Sequence, residues 1–396
     1  MKKKINIVQF LPYFPPHKWW LETHSEQWWI YWKKNNLWEV YNIITDFNQE
    51  EQLEKNENIV FKNTVIWYKK DWVENLVCPS LEIINNFPIY KIWNKKYKLI
   101  IKYLEGENID IAITRTRFFL TSFIWWIFAI KRKIRWIHIE HWSDYVKLNS
   151  KFKNLIAKIY DKLIWKWIFK KADVLVWVSN ACKNFIQKEF VDREVEVIYR
   201  GLDLPKIENS NFLKSKLKNK IIVWFVWRLF KWKNIDTLIK AFYNLDKKLK
   251  EKIQIVIVWD WEDFERLKKL DKENEIYFTW WKSFKEAIEL QNEFDIHFHT
   301  SSPWWGLATT LIQAMALEKF IISTPYEWAN EVIKNLENWI LLKNDSLEEI
   351  KKWLEKWLEI FEEKKEIFWK NARKVFEKEF NWNENILKYY KLFNEK

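Results

Sequence analysis

Three glycines in 396 residues are the tightest constraint on this chain. Turns that need a positive φ or a close backbone approach have almost nothing to use. At average usage, roughly 7%, a chain of this length would carry about 28 glycines. Tryptophan runs the other way, at 31. The missing glycines, about 25 at that usage, nearly equal the tryptophans in excess. Trp224 and Trp227 close the apolar run in VWFVWRLFKWKN (223–234), and Trp232 follows. Trp259 and Trp261 flank Asp260 in IVIVWDWEDFERL, and Trp19-Trp20 follow PYFPPHK. These are turn and helix-start positions, where glycine is the usual residue. The expectation is that most of the tryptophans are UGA codons for glycine. Trp136 in IRWIHIEH and Trp382 in EFNWNENI are exceptions at ordinary apolar positions. Indoles at 224, 227 and 232 would crowd a cleft or turn to solvent. The alternative is a truly Trp-rich, aromatic-binding protein, and the codons separate the two.

Apolar runs of strand length alternate with helical runs. KINIVQF (4–10), DIAIT (110–114), RWIHIEH (135–141) and ADVLVWVS (172–179) read as strands, with helices at 21–34 and 151–171. The pattern restarts with KIIVWFV (220–226), KIQIVIVWD (252–260), EIYFT (275–279), FDIHFHT (294–300) and KFIIST (319–324). Helices at 234–249, 262–270, 283–292 and 307–317 separate these runs. Such alternation builds parallel sheets with crossover helices. The polar stretch 202–220 divides the two sets. The expected architecture is α/β, with two doubly wound Rossmann-like domains facing a central cleft and a C-terminal helical segment. The expected domains are 1–204, on the acceptor side, and 205–375, binding the donor. A helix at 376–396 is expected to pack back on the first domain. Ser346-x-x-Glu349 opens the long helical stretch with a capping signature.

The formal net charge is +13, which suits anionic membrane or phosphorylated substrates. No RGG tract, zinc-ligand array or RNA-binding motif supports nucleic acid. Two cysteines, Cys78 and Cys182, fit a reducing compartment. The N-terminal MKKKINIVQFLPYFPP alternates like a strand and lacks a small-residue cleavage site. The apolar run 118–130 is too short to span a bilayer and reads as a buried helix. The expectation is a cytoplasmic protein, either peripheral on the inner face of the cytoplasmic membrane or acting on a soluble acceptor.

Arg228 and Lys233 lie five residues apart, after a strand and before a helix. Two cations at a helix start are suited to phosphate. With glycine at the suspect positions, this segment resembles the donor-binding segment of glycosyltransferase family 4, the large retaining family with the GT-B fold. Further stretches resemble that family in its own order: PYFPPHKWWLETHSEQ, TRTRFF, EHWSDYV, VWVSNACKNF, VIYRGLD, IVWDWEDFERLKKL, HTSSPWWGLATTLIQAMALEKFIIST, PYEWANEVI and ENWILL. The resemblance covers nearly the whole chain. It implies a metal-independent transferase moving a hexosyl group from a UDP- or GDP-linked sugar to a glycan or lipid-linked acceptor, in cell-envelope polysaccharide or glycolipid synthesis. No separate cofactor is implied.

Residue by residue, the resemblance makes Arg228 and Lys233 the phosphate-binding pair. His141 lines the donor sugar. Trp19 and Trp20 match a Gly-Gly pair beside the diphosphate. Trp305, Gly306, Leu307 and Ala308 match the phosphate-cradling loop and helix start, and Gln313 a ribose contact. His17, Arg117 and Tyr145 are candidate acceptor contacts. Arg200 stands where relatives commonly have asparagine. The family usually shows two glutamates eight residues apart across the donor loop, and here those positions are Trp305 and Gln313. A zinc site built from His138, Glu140 and His141 is disfavoured, since residues three apart on a strand face opposite ways. His297 and His299 read as core or rim. A catalytically degenerate sugar- or nucleotide-binding protein remains the alternative. A nucleotide-sugar epimerase, lower in rank, would need acid–base groups around the sugar. A nucleic-acid binder using stacked indoles depends on the tryptophans being genuine.

Overall fold

The structure, a computed structural model, describes residues 5–11, 25, 27–28, 31–32, 34–35, 38–46, 59–62, 65–70, 73–84, 87–146, 150–208, 211–217, 220–226, 231–258, 264–279, 284–302, 308–326, 328–337 and 339–394. The chain divides into two compact units, Met1–Ile198 and Tyr199–Lys396. The division falls at 198/199 rather than 204/205.

The second unit shows the physics most plainly. Its strands are β11 (Ile221–Val226), β12 (Ile253–Val258), β13 (Tyr277–Thr279), β14 (Ile296–His299), β15 (Phe320–Ser323) and β16 (Ile340–Leu341). They form one parallel sheet in the order β13-β12-β11-β14-β15-β16. Parallel sheets are covered on both faces, so their strands read as continuous apolar runs. IQIVIV in β12 is accordingly buried at every position. One face is covered by the helix Ile235–Tyr243, whose Leu238, Ile239 and Phe242 join a core with Ile350, Leu354, Trp357 and Phe361. Those last four line one side of the helix Leu347–Val375, at spacings of three and four residues. Ser346 caps that helix by accepting the Glu349 N–H at 3.3 Å, as its sequence signature implies. A π turn, Phe376–Phe380, leads into the last helix, Trp382–Asn394. This last segment clusters with the second unit. Leu202 N–H donates to Phe380 O at 3.0 Å and Asn385 Nδ2 to Tyr199 O at 3.0 Å. A Cβ on Gly201 would lie 2.7 Å from the Trp382 Cα, so only glycine lets the two backbones approach there.

The first unit repeats the plan. Its main sheet has the order β10-β9-β8-β1-β2-β5-β4-β3. The parallel strands are β1 (Ile5–Phe10), β2 (Trp38–Thr45), β5 (Val73–Cys78), β8 (Ile111–Arg115), β9 (Arg135–Glu140) and β10 (Val174–Trp177). The antiparallel strands β3 (Ile59–Lys62) and β4 (Val65–Lys70) extend one edge. A separate hairpin pairs β6 (Ser80–Ile84) with β7 (Phe87–Tyr90). None of the strands from β2 to β7 was anticipated. WEVYNIIT and VENLVC each carry a buried asparagine inside the strand, and a side-chain ladder satisfies the two. Gln9 Nε2 donates to Asn42 Oδ1, and Asn42 Nδ2 to Asn75 Oδ1 at 3.0 Å, all buried.

Backbone and side-chain geometry both bear on the tryptophan count. Trp328 precedes the helix Ala329–Val332 at φ 60 and ψ 13, the left-handed region that favours glycine. The indole N–H groups of Trp126, Trp177, Trp224, Trp339, Trp357 and Trp369 are buried without a hydrogen-bond partner. Buried donors are normally paired. By contrast, Trp136 Nε1 donates to Thr114 Oγ1 at 2.9 Å. Trp224 neither crowds a cleft nor turns outward; it is buried in the sheet against Phe294 and His297. Trp227 and the Trp232 side chain lie outside the described residues.

Candidate functional site

In the second unit the strand order reverses between β11 and β14, which are neighbours in space but not in sequence. Open α/β sheets bind ligands at the carboxyl ends of the strands where this reversal occurs. Lys233 follows β11 in the short turn Lys231–Lys233 and is buried. Thr300, directly after β14, donates its Oγ1 to the Lys233 carbonyl at 2.8 Å, tying the two loops together. Asn234 takes a left-handed φ of 56, which asparagine tolerates, and its Nδ2 donates to Asp345 O at 2.9 Å. Ser302 Oγ donates to Asp345 Oδ2 at 2.6 Å, and Thr324 Oγ1 to Ser301 O at 2.7 Å. The β14 loop is therefore held from three sides.

The helix Thr309–Ala316 begins beyond this loop at Ala308, a residue with no capping side chain. Leu311 N–H donates to the Ala308 carbonyl at 3.0 Å, and no side chain caps the terminus, an arrangement that suits an anion. Arg200 Nη1 donates to Thr309 Oγ1 at 3.2 Å. Gln313 is completely buried on this helix, and neither Oε1 nor Nε2 has a hydrogen-bond partner. An unpaired buried amide costs about 1–3 kcal/mol, so the site holds capacity that a ligand or water can meet. Arg228, Trp305, Gly306 and Leu307 lie outside the described residues. His297 and His299 are buried on β14 with ring centroids 5.6 Å apart, a core placement.

The first unit has the same reversal between β1 and β8. His17, Trp19 and Trp20 follow β1 but lie outside the described residues. His141 is buried immediately after β9, and a buried ion-pair cluster fixes its loop. Glu140 Oε1 accepts the N–H groups of His141 and Trp142, both at 2.9 Å. Arg117 Nη1 donates to Trp142 O at 3.3 Å and Nη2 to Asp144 O at 2.5 Å. The guanidinium also meets Glu140 at 3.4 Å and Asp161 at 3.1 Å. Burial raises the Glu140 carboxyl, but Arg117 and His138 outweigh it and hold it down at about 2. For Asp161 burial wins over Arg117, and the carboxyl is pushed up to about 6.

The structure gives internal partners to two of the candidate acceptor contacts. Arg117 is wholly buried and engaged on all sides, so it shapes the His141 loop instead of facing outward. The Tyr145 hydroxyl donates to Glu189 Oε2 at 2.8 Å, which anchors the same loop to the helix Asn180–Glu189. Glu140 and Asp161 were missed as loop-holding residues. Glu140 is adjacent to His141 in sequence, but nothing local indicated an arginine partner. His138 Nδ1 lies 2.9 Å from Thr114 Oγ1 and Nε2 3.4 Å from Glu140. Among the described residues no group of three or more His, Cys, Asp or Glu side chains is arranged to hold a metal ion.

Comparison with known proteins agrees with this geometry. Residues 207–375 match the family model described as glycosyl transferases group 1, and residues 53–206 the one described as glycosyltransferase family 4. An uncharacterized glycosyltransferase of Methanocaldococcus jannaschii is 40% identical over 400 residues, covering 99% of this chain and 98% of the relative. A glycosyltransferase structure from Rickettsia africae superposes with a TM-score of 0.75 at 19% identity, covering 98% of each chain. Anabaena HepE, solved in complex with UDP, superposes at 0.70 with 14% identity, covering 98% of this chain and 99% of its own. The two parallel α/β units are those of the GT-B fold, and the chain belongs to glycosyltransferase family 4.

Proposed function

We propose that the chain is a retaining, metal-independent hexosyltransferase that uses a UDP- or GDP-linked sugar. Its acceptor is a glycan or lipid-linked molecule in cell-envelope polysaccharide or glycolipid synthesis. The observation that carries this reading is the switch point of the second unit. There Lys233 is tied to the β14 loop, beside an uncapped helix start and the unpartnered Gln313. HepE has been solved with UDP-glucose, which supports a nucleotide-sugar donor.

In this reading Arg228 and Lys233 stabilise the departing diphosphate, and the N–H groups of Gly306, Leu307 and Ala308 add to that field. The acceptor hydroxyl attacks the anomeric carbon on the face the nucleotide leaves, and its proton passes to the departing phosphate. His141 lines the sugar. Gln313, donor and acceptor at once, meets a ribose hydroxyl. His17 and the segment at 19–20 line the acceptor side, and Arg117 and Tyr145 hold the His141 loop in place.

Most tryptophans in this reading stand for glycine, including those at 19, 20, 227, 305 and 328. The left-handed backbone at Trp328 and the unpaired buried indoles support that part. TGG at those codons would overturn it. The enzyme acts at the inner face of the cytoplasmic membrane. The test of function is sugar transfer from a panel of nucleotide sugars by glycine-recoded protein. A second reading, a degenerate nucleotide-sugar binder, is favoured by Gln313 standing in place of a carboxylate. Thermal stabilisation by a nucleotide sugar without transfer or hydrolysis would select it.

A further inference from the structure

Residues 151–171 form one continuous helical run. It comprises the helix Lys151–Tyr160, a π turn Asp161–Trp165 and the helix Lys166–Lys171. At 1.5 Å per residue the run is roughly 30 Å long. Its inner side is buried at Asp161, Trp165, Ile168 and Phe169. Its outer side should then be polar, as on an ordinary surface helix. Instead Phe152 is 70% exposed, Leu155 55%, Ile156 51%, Ile159 48% and Leu163 70%. These five positions follow helical spacing and form a single apolar stripe. Trp167 continues it, but the stripe is complete whatever residue stands at 167.

Charge tells what covers this stripe. The run holds seven lysines, and its only carboxylate, Asp161, is turned inward onto Arg117. Lys158 and Lys162 lean over the Tyr145 ring, and Lys162 pairs with Glu189 at 3.6 Å. Lys151, Lys153, Lys166 and Lys170 are exposed along the stripe. An apolar stripe rimmed by lysines is the signature of a helix lying in the headgroup layer of a bilayer. A second copy of the chain would bring like charge against like. Among the described residues no helix is long and apolar enough to cross a membrane, so this contact is made along the surface.

We infer that the outer face of residues 151–171 docks the first unit onto an anionic lipid bilayer. The helix is two-sided. Its outer face meets lipid, and Asp161 on its inner face holds the arginine that shapes the His141 loop. Docking therefore fixes that loop near the membrane surface. The link to a lipid-borne acceptor rests on the function proposed above; the docking itself does not.

The test is flotation of the full chain with vesicles of phosphatidylcholine, with and without about 30% phosphatidylglycerol. Binding is expected on the anionic vesicles, at least about tenfold above the neutral ones, and weakened at roughly 0.5 M salt. The triple variant Leu155→Ser, Ile159→Ser, Leu163→Ser should lose binding by about tenfold or more while its melting temperature holds, since these side chains face outward. Replacing Lys151, Lys153, Lys166 and Lys170 by Glu should abolish it. Absence of binding by the unaltered chain overturns the inference. So does binding undiminished in both variants, or a change of oligomeric state in place of lipid binding. Transfer to a water-soluble acceptor, measured on the same proteins, separates the two readings. Transfer without vesicle binding removes the docking face alone, and vesicle binding without transfer removes the enzymatic reading alone.

Discussion

The two units share a strand order but treat their switch points differently. In the first, the carboxyl ends of β8 and β9 carry a closed set of charges, with Arg117 engaged by Glu140, Asp161 and two carbonyls. In the second, Lys233 follows β11, and Gln313 and the Ser301 hydroxyl are buried without a partner. Both units use polar groups to hold a loop, but in the second Gln313 and Ser301 keep hydrogen-bonding capacity unused. Buried polar groups can do either, and the difference is whether their partners are internal.

Breaking the closed set should have the largest effect. Arg117→Ala leaves Glu140 buried without its counter-charge and is expected to cost about 3–5 kcal/mol in a denaturant titration. The pH dependence follows from Glu140. Its carboxyl is held at about 2, below its ordinary value of 4.5. Its contribution is therefore fully present above pH 4.5 and is lost as pH falls through 2. Asp161, pushed up to about 6, has the opposite sense, and its ionisation costs stability as pH rises through that value. Asp161→Asn should consequently cost less at pH 7 than Glu140→Gln. Equal losses would argue against the contrast.

The open set is tested by ligand response. Lys233→Ala should lower transfer by about 100-fold with the melting temperature retained. Gln313→Leu should weaken donor binding about tenfold in calorimetry while leaving folding stability unchanged or raised, because an unpaired buried amide is removed. A destabilised Gln313→Leu protein would place Gln313 among the structural groups. The smallest effect is expected at Trp328→Gly, a gain of about 1 kcal/mol from relief of the left-handed backbone, read from the denaturation midpoint.

Much of the second unit was legible because both faces of its parallel sheet are buried. That forces uninterrupted apolar runs such as IQIVIV, visible without any tertiary knowledge. The helix opened by Ser346 and Glu349 announced itself because its cap joins residues only three apart. β2 and β5 were not legible, because their buried asparagines, Asn42 and Asn75, are satisfied by each other across 33 residues. Arg117 illustrates the same limit at the site. Its sequence context reads as a loop cation, and only residues 23 to 44 positions away make it structural.

The sequence by itself determined the α/β alternation, the two-unit plan and the anomaly of glycine and tryptophan, which are matters of local period and composition, and its ordered motifs carried the resemblance to the family. Tertiary structure alone decided where each strand order reverses, which charges are closed upon one another, and that Phe152, Leu155, Ile156, Ile159 and Leu163 face outward. Those depend on pairings between distant segments, and burial is a property of the fold rather than of the residue.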